Sequence, residues 1–304
     1  FFFKQKTAYE IPKRDWSSDV CSSDLIADPG DEFIFPLPYY FNHCMAVTMA
    51  NCVTVGVKTK PDYQLDVDAI ARAITPKTRA VVTCSPNNPT GAVYTEASLR
   101  AVNALCRERG IFHIHDEAYE YFTYDGAKNF SAGSIDGAAA HTISLYSLSK
   151  GYGMASWRIG FMVIPEALWP AINKIQDTLL ICTPTIAQRV AIAAMAVGSS
   201  YPRAHAERIG RLRPRVHAAL TDPSVPCETA DVKGAFYHFI RVRTAMDSMT
   251  LTERLIREHR VAVIPGEAFG VTDVCTLRVS FGALDESTID EGLSRLTRGL
   301  IALA

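Results

Sequence analysis

Several features that would assign this chain to a specialised class of protein are missing from its 304 residues. It has no run of about 20 apolar residues, the length that a helix needs to cross a bilayer, so we expect no membrane partner. It has no basic run and a formal net charge of -1, which argues against nucleic acid as a partner. Its eight cysteines form no C-x-x-C pair and no spacing typical of metal ligands, which favours reduced core cysteines in a cytoplasmic protein.

The first 25 residues, FFFKQKTAYEIPKRDWSSDVCSSDL, differ from the rest of the chain. They show no helical or strand period, and their apolar triplet precedes the charges, the reverse of the order in a signal peptide. The closing VCSSDL resembles the translated read-through of a sequencing-library adapter. We interpret residues 1–25 as an artefact or, alternatively, as a disordered extension, and we expect the natural N-terminus to be missing.

From Ile26 to about Pro165, short apolar runs alternate with helical patterns. The predicted strands are EFIF (32–35), CVTVGV (52–57), RAVVTC (79–84), IFHIHD (111–116), TISLYS (142–147) and IGFMVI (159–164). Their continuous hydrophobicity indicates strands covered on both faces. Between two of them, Thr95 can cap a helix that Gly110 ends. The alternation predicts an α/β domain with a largely parallel sheet, which we place at residues 26–190.

Mixed helices and strands follow in the C-terminal part of the chain. Residues 184–220 are predicted to form two long helices. Further strands are predicted at GAFYHFI (234–240), VAVIP (261–265) and TLRVSFG (276–282), with helices near 250–259 and at the C-terminus. This order indicates a smaller α+β domain at residues 191–304.

Polar residues stand where three of the predicted parallel strands end, in the motifs SPNNPTG (85–91), DEAY (116–119) and SLSK (147–150). Each motif has an ordinary structural explanation on its own, such as a turn or a helix cap. Ligands of open α/β sheets bind at the carboxyl ends of the strands, so we expect these side chains to line one crevice. They are Asn88, Asp116, Tyr119, Ser147 and Lys150.

Pyridoxal phosphate (PLP) requires the groups that this crevice would supply. Its aldehyde needs a lysine amine for a Schiff base, which Lys150 can provide. Its pyridine nitrogen must stay protonated to act as an electron sink, which calls for a buried carboxylate such as Asp116. Its ring oxygen needs donors, which Asn88 and Tyr119 can provide.

The segment SLSKGYGMASWRIG (147–160) brings a second cation, Arg158, eight residues after the lysine. A phosphate dianion is bound well by a hydroxyl group and a guanidinium, and Ser147 and Arg158 supply these. We therefore expect Lys150 to bind the carbonyl end of the cofactor and Arg158 to bind its phosphate end.

The motifs SPNNPTG, DEAY, SLSKGYGMASWRIG and LRVSFG, in this order over residues 26–304, closely resemble those of the class I/II aminotransferases, PLP enzymes of fold type I. The resemblance implies a large cofactor domain, a small C-terminal domain, and a homodimer with active sites at its interface. It also implies an N-terminal segment and a glycine-rich phosphate-binding turn. Neither is recognisable in this chain, which leaves open whether the chain as given is active.

The resemblance also implies roles for individual residues. Tyr40, in PLPYYFNH, would stack on the cofactor, and Arg278, in LRVSFG, would bind the substrate α-carboxylate together with Asn88. The implied catalytic residues are Lys150, Asp116 and Tyr119. The implied cofactor-binding residues are Tyr40, Asn88, Asp116, Tyr119, Ser147, Lys150 and Arg158.

His113 and His115 lie on one face of a predicted strand next to Asp116, a pattern that could indicate a metal site. A metal ion there would compete with the pyridine nitrogen for Asp116, and the sequence offers no fourth ligand. We therefore predict no metal.

These observations predict a PLP-dependent aminotransferase that moves the amino group of an L-amino acid to a 2-oxo acid by ping-pong kinetics. Two alternatives remain at this point: a β-eliminating C–S lyase on the same fold, and an aminotransferase-like regulatory domain. The sequence does not indicate which amino donor and acceptor are used.

Overall fold

A computed structural model of the chain describes residues 26–179, 181–283 and 285–304. The interpretation of residues 1–25 as an artefact or extension lies outside the described residues. Within the described ranges, no helix combines the length and the apolar character that a membrane span requires.

The first sheet contains six strands: β1 (Glu32–Leu37), β2 (Val53–Lys58), β3 (Thr78–Cys84), β4 (Phe112–Asp116), β5 (Thr142–Ser147) and β6 (Gly160–Val163). Their order across the sheet is β2-β1-β3-β4-β5-β6. The first five are parallel, and β6 runs antiparallel to β5. Strands β1 and β3 are buried along almost their whole length, as continuous apolar runs require. The predicted, largely parallel sheet is confirmed.

Helices connect these strands and cover the sheet: α1 (Phe41–Met49), α2 (Val67–Ala73), α3 (Glu96–Arg109) and α4 (Leu148–Gly151). Helix α3 begins and ends as predicted. The hydroxyl of Thr95 accepts a hydrogen bond from the Ser98 amide at 3.2 Å, and Gly110 adopts the left-handed conformation at φ 65°. Helices α1 and α2 were not predicted.

Four helices link the two sheets: α5 (Trp169–Leu179), α6 (Thr185–Ala196), α7 (Ser200–Gly210) and α8 (Arg213–Leu220). The prediction of two helices over residues 184–220 was therefore wrong, because the structure has three there. The missed break follows Gly210, and α8 begins with Pro214 in its first turn. Proline fits the first turn of a helix because it has no backbone N–H to donate, so a new helix starts there.

The second sheet is antiparallel and contains β7 (Cys227–Thr229), β8 (Tyr237–Val242), β9 (Ile264–Pro265) and β10 (Thr276–Ser280), in the order β7-β8-β10-β9. Helices α9 (Ser248–His259) and α10 (Ile289–Leu303) accompany it. The last helix buries one apolar face, which includes Ile289, Leu293, Leu296 and Leu300. These side chains belong to the same hydrophobic core as β8 and β10.

A close backbone contact joins the second sheet to the loop after β3. The strand predicted at 234–240 begins three residues later, at Tyr237, because Gly234 donates its N–H to the carbonyl of Gly91 at 2.8 Å. Gly91 has φ 81°, and a Cβ on it would lie 2.7 Å from the Gly234 oxygen. Only glycine at position 91 permits this approach, which brings β8 and β10 to the carboxyl edge of the first sheet.

Candidate active site

The predicted crevice lies at the carboxyl ends of β3, β4 and β5. Asn88 follows β3 and Tyr119 follows β4, and both side chains are buried. The Asn88 amide nitrogen donates to the Tyr119 hydroxyl at 3.3 Å. Parallel strands carry these two loops to the same sheet edge, which explains why residues 31 positions apart in the chain meet there.

Asp116, the last residue of β4, is a buried carboxylate with two partners. Its Oδ2 lies 2.9 Å from Nε2 of His43, and its Oδ1 accepts the amide of Ala118 at 2.9 Å. Burial acts to raise the pKa of Asp116, but the hydrogen bond and charge of His43, with the Ala118 amide, hold that pKa below its usual value. The carboxylate is therefore ionised, as a partner of a protonated pyridine nitrogen has to be.

His43 is the contact of Asp116 that sequence reasoning missed. It lies in the first turn of α1, three residues after Tyr40, which is the N-cap residue of that helix. The rings of Tyr40 and His43 meet edge to face with centroids 5.2 Å apart. The i, i+3 spacing of an aromatic residue and a histidine in YYFNH was the available signal.

Lys150 lies on α4, the single turn that follows β5. The Ser147 hydroxyl caps this turn by accepting the Ser149 amide at 3.2 Å. Burial, followed by the positive charges of Arg278 and Arg158, lowers the pKa of Lys150. A lowered pKa favours the neutral amine, the form that can attack a carbonyl or accept a proton.

Arg278, on β10, reaches the crevice from the second sheet. Its Nη1 donates to Oδ1 of Asn88 at 2.8 Å, and its guanidinium lies over the rings of Tyr237 and Phe269 at 4.6 and 5.2 Å. Its Nε is buried and has no hydrogen-bond partner among the described residues. An unsatisfied buried donor on a guanidinium is suited to an anionic ligand such as a carboxylate.

We call the part of the site around Asp116, Asn88 and Tyr119 the ring end, and the part around Ser147 and Arg158 the phosphate end. At the phosphate end, β5 and β6 pair Ser147 with Gly160, so the backbone near Arg158 runs beside Ser147. The Arg158 side chain is exposed, and its Nη1 donates to the Ala155 carbonyl at 3.0 Å. The structure thus places Ser147 at the end of β5 and Arg158 in the turn that leads into β6, without joining their side chains.

The two histidines of β4 turn away from Asp116. Nε2 of His113 and Nδ1 of His115 lie 2.8 and 2.7 Å from the Thr83 hydroxyl. In the described ranges, no group of three or more His, Cys, Asp or Glu side chains is arranged to hold a metal ion. Burial lowers the pKa of both histidines, to about 4 for His115.

The chemistry of this donor set fits PLP and an amino-acid substrate. An ionised buried carboxylate, a lysine with a lowered pKa and a partly unsatisfied arginine stand at one sheet edge. Comparison with known proteins decides the family. The family described as aminotransferase class I and II matches residues 20–296.

The chain belongs to this family. It is a PLP-dependent transaminase with the α/β architecture of fold type I. Aromatic-amino-acid aminotransferase 2 of Thermococcus litoralis is 34% identical over 275 residues, which cover 89% of this chain and 70% of that protein. A probable aspartate/prephenate aminotransferase of Aquifex aeolicus is 34% identical over 283 residues, covering 90% of this chain and 71% of that protein.

Solved structures of aminotransferases have the same fold. A mutant of Thermus thermophilus aspartate aminotransferase superposes with a TM-score of 0.85 at 32% identity, covering 93% of this chain and 77% of that one. The aromatic aminotransferase of Pyrococcus horikoshii gives a TM-score of 0.85 at 32% identity, covering 92% of this chain and 76% of that one.

Proposed function

We propose that this aminotransferase moves the amino group of an L-amino acid to a 2-oxo acid in two half-reactions, with Lys150 as the proton-transfer residue. The observation that carries the proposal is the position of Lys150. Its pKa is lowered by burial and by two arginines, at the same sheet edge where His43 keeps Asp116 ionised. Lys150, as a base, and Asp116, as the partner of the cofactor's ring nitrogen, thus lie at one site.

The cofactor, when bound, supplies an electron sink that weakens the Cα–H bond of the substrate. Asp116 keeps a proton on the ring nitrogen, Asn88 and Tyr119 bind the ring oxygen, and Tyr40 packs against the ring. Ser147 and Arg158 bind the phosphate group. These are the roles that the resemblance implies, and the contacts at the ring end support them.

The chain's own residues then act on the substrate. Arg278 binds the α-carboxylate, using the donor that has no partner among the described residues, while Asn88 holds the guanidinium in place. This contact orients the Cα–H bond. Nζ of Lys150, as the neutral amine, accepts the Cα proton and later returns it.

A single-turnover experiment tests this proposal. Given an amino acid alone, the holoenzyme should release one equivalent of 2-oxo acid per site and stop, and a second 2-oxo acid should restart it. Borohydride should fix the cofactor on Lys150, as peptide mapping would show, and Lys150→Ala should abolish both results while the exposed Lys174→Ala does not. Sustained release of ammonia and pyruvate from cysteine without an acceptor would instead indicate a lyase. An adduct on another lysine would refute the assignment of Lys150.

We also propose that the protein is a homodimer and that it is cytoplasmic. We place the boundary between its two domains near residue 190, inside α6. Strand β6 and helix α6 expose large apolar side chains, including Phe161, Val163, Ile186 and Ile192, which a second copy could cover. The seven described cysteines are free thiols, as in a reducing compartment. Light scattering of the purified protein tests the dimer, and Ile192→Lys should reduce the measured mass.

A further inference from the structure

Four side chains from both sheets form a closed circuit of contacts at the ring end. Asn88 donates to Tyr119, and Arg278 donates to Asn88. The circuit is closed by Tyr237, the first residue of β8, whose hydroxyl lies 2.8 Å from the Tyr119 hydroxyl. The ring of Tyr237 lies 4.6 Å from the Arg278 guanidinium. Tyr237 therefore contacts both the proposed ring-oxygen donor and the proposed carboxylate-binding residue.

The hydrogen bonds of this circuit have a definite direction. Because Oδ1 of Asn88 accepts from Arg278, its amide nitrogen is the group that faces Tyr119. Burial raises the pKa of both Tyr119 and Tyr237, so each phenol carries one proton. If Tyr119 uses its single proton to donate to the cofactor ring oxygen, the hydrogen between the two phenols has to come from Tyr237.

We infer that Tyr237 is a positioning residue: its hydroxyl directs the Tyr119 proton toward the cofactor, and its ring fixes the plane of the Arg278 guanidinium. The inference rests on the function proposed for Tyr119, Arg278 and Lys150. A hydroxyl that accepts hydrogen bonds is a stronger donor, so donation by Tyr237 strengthens the bond from Tyr119 to the ring oxygen.

The position of Tyr237 in the second sheet supports the part of the inference that concerns Arg278. Strands β8 and β10 pair Tyr237 with Ser280 and Phe239 with Arg278, which makes Tyr237 and Arg278 diagonal neighbours on one face. A guanidinium that stacks on a ring keeps its edge free for a planar, bidentate ligand. The ring of Tyr237 can therefore orient the edge of Arg278 that receives the substrate carboxylate.

The hydroxyl and the ring can be tested separately. In the holoenzyme, Tyr237→Phe removes only the hydroxyl and weakens the bond from Tyr119 to the ring oxygen. With a weaker hydrogen bond, the ring oxygen would keep more negative charge. Because this oxygen would lie beside the Lys150 nitrogen that is bonded to the cofactor, the pKa of that nitrogen should rise. We expect the absorbance of the bound cofactor to titrate about 0.3 to 1 pH unit higher than in the wild type, the shift that one hydrogen bond produces.

Tyr237→Leu removes the ring as well. It should also weaken the binding of propionate, an unreactive acid whose only polar group is its carboxylate, by about threefold to tenfold, while Tyr237→Phe leaves that affinity within about twofold. Tyr63→Phe is the matched control, because Tyr63 packs on Phe239 of the same strand and its hydroxyl donates to a backbone carbonyl outside the circuit. This control should change neither the titration nor the affinity.

The outcomes separate the inference from the proposed function. If borohydride fixes no cofactor on Lys150 in the wild type, the proposed function is wrong and the inference falls with it. If Lys150 is labelled but Tyr237→Phe titrates within about 0.1 pH unit of the wild type, the hydroxyl has only a structural role and the inference is overturned. Equal carboxylate affinities for the Phe and Leu variants would overturn the role of the ring.

Discussion

The ring end and the phosphate end of the site differ in how completely the described residues build them. At the ring end, Asp116, Asn88 and Tyr119 are buried and each is hydrogen-bonded to another side chain. At the phosphate end, Ser147 caps a helical turn and Arg158 is exposed to solvent. Buried, mutually bonded groups are held in one geometry, whereas an exposed arginine is screened by water. Changes at the ring end should therefore affect chemistry, and changes at the phosphate end should affect cofactor affinity.

Asp116→Asn should give the largest change, because it alters the charge at the most enclosed point of the ring end. A carboxamide cannot hold a proton on the ring nitrogen, so we expect kcat to fall by about 100-fold to 1000-fold. The dissociation constant of the cofactor should change much less. Steady-state kinetics at saturating cofactor, together with a cofactor titration, check both statements.

His43→Asn is the companion variant, since it leaves the carboxylate in place and removes the ring that now bonds it. Without His43, burial raises the pKa of Asp116 with less opposition, so kcat should fall by about tenfold and fall further as the pH is lowered. A His43→Asn variant that is as slow as Asp116→Asn would mean that the histidine acts directly on the bound cofactor.

Arg278→Lys tests whether the arginine that the second sheet contributes to the ring end binds the substrate carboxylate. Lysine keeps the charge but loses the paired donors that match a carboxylate. We expect kcat/KM for amino and 2-oxo acids to fall by about tenfold to several hundredfold, with cofactor affinity nearly unchanged. Loss of the cofactor with normal substrate kinetics would show that the role of LRVSFG has been misassigned.

The strands of the first sheet could be predicted from the sequence more completely than its helices. All six strands of the first sheet were predicted, because each is a nearly continuous apolar run. Helix α2 was missed because it is seven residues long and buries only Ile70, too little for an apolar period to appear. The break between α7 and α8 was missed although Gly210 and Pro214 stand on either side of it.

The contacts of the site were harder to predict than its polar residues. Strand ends and short motifs indicated Asn88, Asp116 and Lys150 from local patterns alone. His43 is 73 positions from Asp116, and Tyr237 is 118 positions from Tyr119. Such pairs depend on how a helix and a second sheet pack against the first sheet, and no local pattern carries that information.

Arg158→Ala tests the phosphate end and should have a smaller effect than the changes at the ring end. Its guanidinium is exposed, so its contribution to phosphate binding is reduced by solvent screening. We expect the dissociation constant of PLP to rise by about tenfold, with kcat at saturating cofactor within about twofold of the wild type. Equilibrium titration of the apoprotein measures the first, and kinetics at high cofactor measure the second. A large fall in kcat at saturation would remove the distinction between the two ends.

The smallest effect should come from the buried histidines of β4, the strand that ends in Asp116. Burial lowers the pKa of His115 to about 4, below its value of about 6.5 in the unfolded chain. The unfolded chain therefore binds a proton that the folded protein does not, and stability is lost as the pH falls from 6.5 toward 4. At pH 6 this one histidine should lower the free energy of unfolding by roughly 1 kcal/mol.

His115→Asn isolates that contribution, because asparagine does not titrate in this range. The variant should be less stable than the wild type at pH 8, since the bond to Thr83 is altered, but between pH 8 and pH 6 its free energy of unfolding should fall by roughly 1 kcal/mol less. Ile114→Val is the matched control: Ile114 is buried between the two histidines on β4 and carries no titrating group, so its pH dependence should equal that of the wild type. Urea unfolding at the two pH values measures each difference. Equal losses in His115→Asn and the wild type would show that His115 has the same pKa in the folded protein as in the unfolded chain, and burial would then not lower its pKa.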